Sequence, residues 1–299
     1  MASISNFNNP CHSRSISLPS QSHPSMIRIE EELNKLKTWE ASSTPTAEAL
    51  FNGISGLENL YKFVDELLNL PLTQQVLSSN QRERWVNESL DISLILLDVC
   101  GCTRDFVSQI KEHIKDLQSA LRRRKGDLSI ESSIAKYSCF RQQMKKEAKK
   151  LIASLKQMDN KIGVLPLLEL DPRGASLIRL LREVGSISIS ICHSLLCLFL
   201  STSISKKSTR WSLVSKFIQK GRVACDDQQK NMKELESLDV ALNVLSRQGS
   251  SHGDHMHGAQ SSSEHLDAVV KLIENGLDDL FRRLVKSRAS LLNILSPIM

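Results

Sequence analysis

The stretch SLIRLLREVGSISISICHSLLCLFLSTSIS, residues Ser176–Ser205, decides how the rest of the chain folds. From Val184 to Ser205 it contains no Asp, Glu, Lys or Arg. Its apolar residues recur at helical spacing, and serines form a second stripe of small side chains that lets another backbone approach closely. We predict a central helix over Leu177–Ser205.

Three structures are compatible with this stretch. Its length suits a membrane span, because about 20 apolar residues cross a bilayer core. The many serines and His193 favour instead a helix buried among other helices. The alternation over Ile187–Ile191 is typical of a strand, but it covers only five residues. We expect a buried core helix and keep the membrane span as the alternative.

Charged amphipathic helices account for most of the remaining chain. Heptad-like or 3.6-residue apolar spacing predicts helices at residues 26–41, 50–68, 81–124, 129–162, 211–223, 226–247 and 264–295. Aromatic residues are only 4% of the chain, and glycine and proline are concentrated in linkers. We predict an all-α fold, an elongated bundle of about six to eight amphipathic helices with coiled-coil-like seams around the central uncharged helix.

The chain divides into a tail and one helical domain. Residues 1–25 are rich in Ser, Asn, Pro and His and predict a disordered tail. Residues 26–299 predict a single helical domain, with a flexible His/Ser/Gly loop at 248–263. In the tail, Arg14, Ser17 and Pro19 have the spacing of a kinase site that docks 14-3-3 proteins once Ser17 is phosphorylated. Such matches also arise by chance in serine-rich tails.

The composition also indicates the cellular compartment in which we expect the protein. The N-terminus has no apolar segment of the kind that a secretory signal needs. Seven cysteines, an odd number at irregular spacing, indicate a reducing environment. We expect a cytoplasmic protein. The tail's lack of acidic residues resembles an organelle transit peptide, although a single arginine is too few for one.

Two basic segments are candidates for contact with an anionic partner. They are Arg122, Arg123 and Arg124, and Lys145, Lys146, Lys149 and Lys150. The basic helix 134–161 carries the second group on an outer face that we also assign Arg141, and this face could lie on anionic lipid. Solvation alone is the simpler interpretation. Because no aromatic residues are interleaved, we do not expect nucleic acid as the partner.

One cluster has the chemistry of metal ligands. His252, Asp254, His255 and His257 are closely spaced, but glycines surround them and no second cluster completes a coordination shell. We therefore expect neither a specific metal site nor a cofactor. The sequence also lacks the G-x-S-x-G, phosphate-loop, GxGxxG and HExxH patterns, so we predict a protein that is not an enzyme.

Segments along nearly the whole chain resemble the plant domain-of-unknown-function family 241, the BYPASS-like plant proteins. They are HSRS (12–15), LPS (18–20), HP (23–24), LPLTQQ (70–75), WV (85–86), LDIS (90–93), LDVC (97–100), LRRRKGD (121–127), RVAC (222–225), RRLVKSR (282–288) and SLLNIL (290–295). The resemblance implies a helical plant protein linked to root and shoot development, with no established catalytic activity.

Two functions remain in view. The first is a non-enzymatic interaction or regulatory protein, controlled through phosphorylation of its tail, with protein partners that include 14-3-3 proteins. The second is a membrane-associated scaffold, held by helix 177–205 or as a peripheral protein by the basic helix 134–161. The long apolar seam of the last helix is also compatible with a homodimer.

Overall fold

Eight α-helices make up the part of the chain that the computed structural model describes, which is residues 23–42, 46–80, 83–123, 127–163, 172–200, 234–248 and 253–296. No described residue lies in a β-strand. The helices are α1 (Pro24–Ser42), α2 (Ala47–Leu68), α3 (Pro71–Ser79), α4 (Arg84–Arg123), α5 (Asp127–Asp159), α6 (Pro172–Leu200), α7 (Glu234–Gln248) and α8 (Gly253–Leu295). The prediction of an all-α helical bundle is confirmed. The tail of residues 1–22 and the predicted helix at 211–223 lie outside the described residues.

Helix α6 is the uncharged helix predicted from the sequence, and it lies at the centre of the bundle. It packs against α1, α2, α4 and α5. From Leu180 to Leu200 every residue is buried or half-buried, and Ile187–Ile191 is helical throughout. By length and composition Gly174–Leu200 could cross a membrane, but 67% of its apolar window is buried inside the bundle. The neighbouring helices therefore provide the apolar surroundings that this helix requires.

Helix α6 packs closely on α4 at a glycine. A Cβ atom on Gly185 would lie 3.1 Å from Ile92 Cδ1 of α4, so a larger residue here would require the Ile92 side chain to shift. The serine stripe has a different role. Ser186 Oγ donates to Asp159 Oδ1 at 3.4 Å, and Ser190 donates to Glu40 of α1. These serines join α6 to its neighbours by hydrogen bonds.

Helix α8 carries an unbroken heptad seam along its buried side. Its members alternate steps of three and four residues, as in a coiled coil. They are Met256, Ala259, Ser263, Leu266, Val270, Ile273, Leu277, Leu280, Leu284, Ser287 and Leu291. This seam packs against α2, α3, α4 and α7 within the bundle. The apolar seam on which the expectation of a homodimer rests is thus covered by helices of the same chain.

The predicted loop at 248–263 is wrong from Gly253 onward, because α8 begins there. Ala259 and Ser263 are fully buried and continue the heptad seam against α7. Ser237 Oγ of α7 lies 3.2 Å from Ser262 Oγ. Packing against α7 therefore outweighs the low helix propensity of the glycines and serines in this segment.

Ile191 tests the central position of α6, because its side chain is only 1% exposed. We expect Ile191→Asp to lower the free energy of unfolding by at least about 3 kcal/mol, since it buries an unpaired carboxylate. Val240→Asp is the matched control, because Val240 is 56% exposed on α7. It should cost less than about 1 kcal/mol. Urea denaturation measures both values, and equal stabilities would contradict the central position.

Candidate functional site

The most interconnected polar group among the described residues joins α5, α6 and α7. Arg141 of α5 donates from Nε to Asp239 Oδ1 of α7 at 3.0 Å and from Nη2 to Oδ2 at 2.8 Å. Tyr137 donates to the same Oδ1 at 2.9 Å, and Lys145 Nζ donates to Oδ2 at 3.2 Å. We call Tyr137, Arg141, Lys145 and Asp239 the Arg141 cluster.

Arg141 also caps the C-terminal end of the central helix α6. Its Nη1 donates to the carbonyl of Phe199 at 2.8 Å, one residue before α6 ends at Leu200. The last four carbonyls of a helix have no partner within the helix, and a cation there opposes the helix dipole favourably. One side chain thus caps α6 and holds α7 through Asp239.

The charges in the cluster are set by this geometry. Burial of the Asp239 carboxyl opposes its ionisation, but hydrogen bonds and charge from Arg141, with Tyr137 and Lys145, hold its pKa below the usual 3.8. Burial, together with the charge on Asp239, raises the pKa of Tyr137 well above its usual value, so the phenol stays protonated and donates. At neutral pH the Asp239 carboxyl is therefore ionised and the Tyr137 phenol is protonated. The cluster is therefore suited to holding helices together and not to proton transfer.

Assignment of Arg141 to the basic outer face is wrong, because this residue is only 3% exposed. The sequence did contain a signal. Arg141 occupies an otherwise apolar seam between Tyr137 and Met144, where a charge needs a buried partner. Its partner Asp239 is 98 residues away in the chain and faces it only after folding. Sequence spacing alone therefore could not identify the pair.

The exposed side of α5 is basic even without Arg141. We define the lysine face as the exposed Lys136, Lys146, Lys149, Lys150 and Lys156 of α5, with Lys161 in the turn that follows this helix. Lys150 pairs with Glu147 at 3.1 Å, and the two acidic residues between 132 and 163, Glu147 and Asp159, are half-exposed. Of the predicted anionic-partner residues, Lys146, Lys149 and Lys150 lie on this face, while the half-exposed Lys145 pairs with Asp239.

The arginines at the end of α4 lie far from the predicted lysines at residues 145–150. Arg122 and Arg123 are exposed, and Arg124 lies outside the described residues. Because α4 and α5 are antiparallel neighbours, the end of α4 lies beside the start of α5. Lys146 is about 25 Å further along the helix axis. The two predicted basic segments therefore form separate surfaces.

The predicted metal-ligand candidates do not form a coordination site among the described residues. His255 is half-buried and His257 exposed in the first turns of α8. Residues two apart on a helix point in different directions. His252 and the side chain of Asp254 lie outside the described part of the chain. No group of three or more His, Cys, Asp or Glu side chains in that part could hold a metal ion.

The described cysteines are free thiols, and all of them except the exposed Cys139 lie in environments that suppress their reactivity. Burial raises the pKa of Cys100 to about 12 and also raises the pKa of Cys192. Cys197 Sγ lies 3.8 Å from His193 Nδ1, but burial raises the pKa of the thiol and lowers that of the imidazole. Both groups of this pair therefore stay neutral, and the thiol is not an activated nucleophile.

A shallow groove of about 490 Å³ opens between α7 and α8. Its lining is small and weakly polar, and consists of Glu236, Ser237, Val240, Ala241, Gly258 and Ser262. A small-molecule site usually encloses its ligand and directs several polar groups at it. This groove is open, and Glu236 is its only charged lining residue.

Comparison with known proteins gives one family. A family model described as Protein BPS1 matches residues 53–294, from the first half of α2 to the end of α8. Helix α1 precedes the matched region. No curated protein and no solved structure matches the chain.

Asp239→Asn tests whether the Arg141 cluster stabilises the bundle. The substitution leaves the buried guanidinium without its counter-charge, so we expect a loss of about 3 kcal/mol at pH 7. Because the pKa of Asp239 is lowered in the fold, its contribution is present above the unfolded value of about 3.9 and is lost as pH falls further. The difference between the two proteins should therefore shrink in acid. Urea denaturation at pH 7 and at about pH 3 measures it.

Asp267→Asn is the control for this measurement. Asp267 pairs with Lys271 at 2.6 Å, but the lysine side chain is 62% exposed. The control should cost less than about 1 kcal/mol. A similar loss in both variants would mean that the Arg141 cluster contributes no more than a surface ion pair.

Proposed function

The chain belongs to the BPS1 family, the BYPASS family of plant proteins, and we propose that it is a non-enzymatic helical regulator that acts by binding other proteins. Membership indicates a plant developmental regulator, in agreement with the resemblance to BYPASS-like proteins. The link to root and shoot development is part of this proposal.

The state of the polar groups supports a binding role. The buried acids and bases are engaged in joining helices, as in the pair Glu88–Arg182 at 2.9 Å and in the Arg141 cluster. The described cysteines other than the exposed Cys139 have raised pKa values or deep burial. In contrast, the lysine face of α5 is open to solvent. The chemistry that this chain offers to its surroundings is therefore concentrated on charged surfaces.

Regulation is proposed to act through the tail. Arg14, Ser17 and Pro19 lie outside the described residues, and only their spacing supports the proposal. A phosphate on Ser17 would offer strong acceptors to the arginine cluster of a 14-3-3 protein. Binding to such a partner would place the protein in the cytoplasm.

The lysine face favours a second candidate, a membrane-associated scaffold. Lysines on one side of a helix are attracted to anionic lipid head groups. Contact through this face would be peripheral and released by salt. Insertion of α6 would first require the bundle to open, because 67% of its apolar window is covered by other helices.

Removal of residues 1–22 tests the proposed regulation and leaves α1 intact, since that helix begins at Pro24. We expect the full chain, isolated from plant tissue, to retain 14-3-3 proteins, and the truncated chain to lose them. Ser17→Ala should reproduce the loss, because it removes the phosphate acceptor. Ser20→Ala, which has no arginine three residues before it, is the matched control.

Quantitative mass spectrometry of the bound proteins provides the measurement. Retention of 14-3-3 proteins by Ser17→Ala at the level of the control would exclude regulation through this site. Fractionation of the same tissue addresses the second candidate. A pellet that resists carbonate would contradict the soluble binding role, and a pellet released by salt would support the peripheral scaffold.

A further inference from the structure

The outer face of α4 carries an acidic stripe beside the lysine face of α5. Asp91, Asp98, Asp105 and Glu112 are all exposed and follow one another at intervals of seven residues. Seven residues are almost two helical turns, so the four carboxylates lie in a line along the helix. No ion pair among the described residues engages any of them.

The two helices are aligned so that opposite charges lie at the same height. The backbone NH of Gly163 donates to Glu88 Oε1 at 3.2 Å, and the rings of His113 and Phe140 stack at 4.8 Å. These contacts fix an antiparallel register between α4 and α5. We count the same number of residues along both helices from the contact between Glu88 and Gly163. Asp91 is then level with Asn160, Asp98 with Ala153 and Asp105 with Lys146. The lysines from 146 to 161 therefore span the same length as the three aspartates.

We propose that this outer face is a homodimer interface, in which the acidic stripe of each copy lies on the lysine face of the other. A two-fold axis parallel to the helices, between α4 and α5, produces this arrangement. Rotation about this axis leaves each residue at the same position along the helix axes, and it places α4 of each copy over α5 of its partner. An in-plane axis perpendicular to the helices would stack like charges and is repulsive.

The register of the stripes matches this symmetry. Since heights are preserved, Asp91 of one copy is level with the partner's Lys161. Asp98 lies between the levels of the partner's Lys150 and Lys156. Asp105 is level with the partner's Lys146, with Lys149 one turn away. Leu94, 46% exposed, sits within the acidic stripe, about one helical turn from the level of the exposed Ala153.

The size of the face indicates how tight the dimer is. Two helices over residues 91–112 cover about 30 Å by 20 Å, which is about 600 Å² per copy and lies at the lower end for specific interfaces. Exposed ion pairs contribute little individually and are screened by salt. The interface is thus a weak and salt-sensitive one, whose charges determine orientation more than affinity. The dimer does not depend on the proposed tail regulation.

Two charge-reversed variants of the full chain test the interface. Asp98→Lys with Asp105→Lys gives the face a net positive charge, and Lys149→Glu with Lys156→Glu gives it a net negative charge. We expect the unchanged protein to dimerise at about 50 mM salt and to dissociate at least tenfold more readily at about 500 mM. Each variant alone should be monomeric, and an equimolar mixture should form heterodimers. Sedimentation velocity with differently labelled variants measures this.

The control variant is Glu30→Lys with Glu31→Lys, two exposed residues of α1 with the same change in charge. It should dimerise like the unchanged protein. Circular dichroism and thermal melting verify that all variants are folded. A mixture that stays monomeric, or variants that dimerise alone, would overturn the proposal. So would an unchanged protein that is monomeric in low salt but binds vesicles containing phosphatidylserine, because the lysine face would then serve the membrane.

Discussion

Burial of α6 is the constraint on which the rest of the structure depends. A helix without charges over most of its length has apolar surface on every side, so no single neighbour can cover it. Helices α1, α2, α4 and α5 cover it together, and each contributes the apolar side of an amphipathic helix. Fully burying one Leu or Ile side chain stabilises the fold by about 1.5–3 kcal/mol, and α6 buries many of them. The arrangement of these four helices follows from this requirement.

Polar contacts then determine how each helix is placed against α6, since apolar surfaces alone tolerate sliding. Near its start, Arg182 pairs with Glu88 of α4 and Glu183 with Lys37 of α1, at 2.9 and 2.8 Å. In the middle, Ser188 lies 3.3 Å from the Tyr61 hydroxyl of α2. At its end, the Phe199 carbonyl accepts a hydrogen bond from Arg141 of α5. A shift of one helical turn would leave several of these buried groups unpaired, at a cost of roughly 1–3 kcal/mol each.

Sequence periodicity predicted most of the helices and the central place of α6, because both depend on local spacing and on the distribution of charge. Prediction from periodicity failed at residues whose structure is determined by tertiary contacts. The first ten residues of α8 have the composition of a loop, yet they are helical, with Ala259 buried and Ser262 Oγ 3.2 Å from Ser237 Oγ of α7. Arg141 was assigned to the surface because charge usually lies there, and its partner is far away in the chain. Of the candidate binding residues, the lysines of α5 could be predicted from the sequence. The acidic stripe beside them could be related to them only when the register of α4 and α5 was known.

The contacts of α8 also bear on how the chain matures during synthesis. This helix is at the C-terminal end of the chain, yet it packs along α2 and α4 near the other end. Long-range contacts of this kind form late, because the intervening chain must first be closed into a loop. A ribosome that has translated α1 to α7 therefore holds a chain whose α2 and α4 still display the apolar surface that α8 will cover. A chain without α8 would expose that apolar surface, and exposed surface of this kind favours aggregation and chaperone binding.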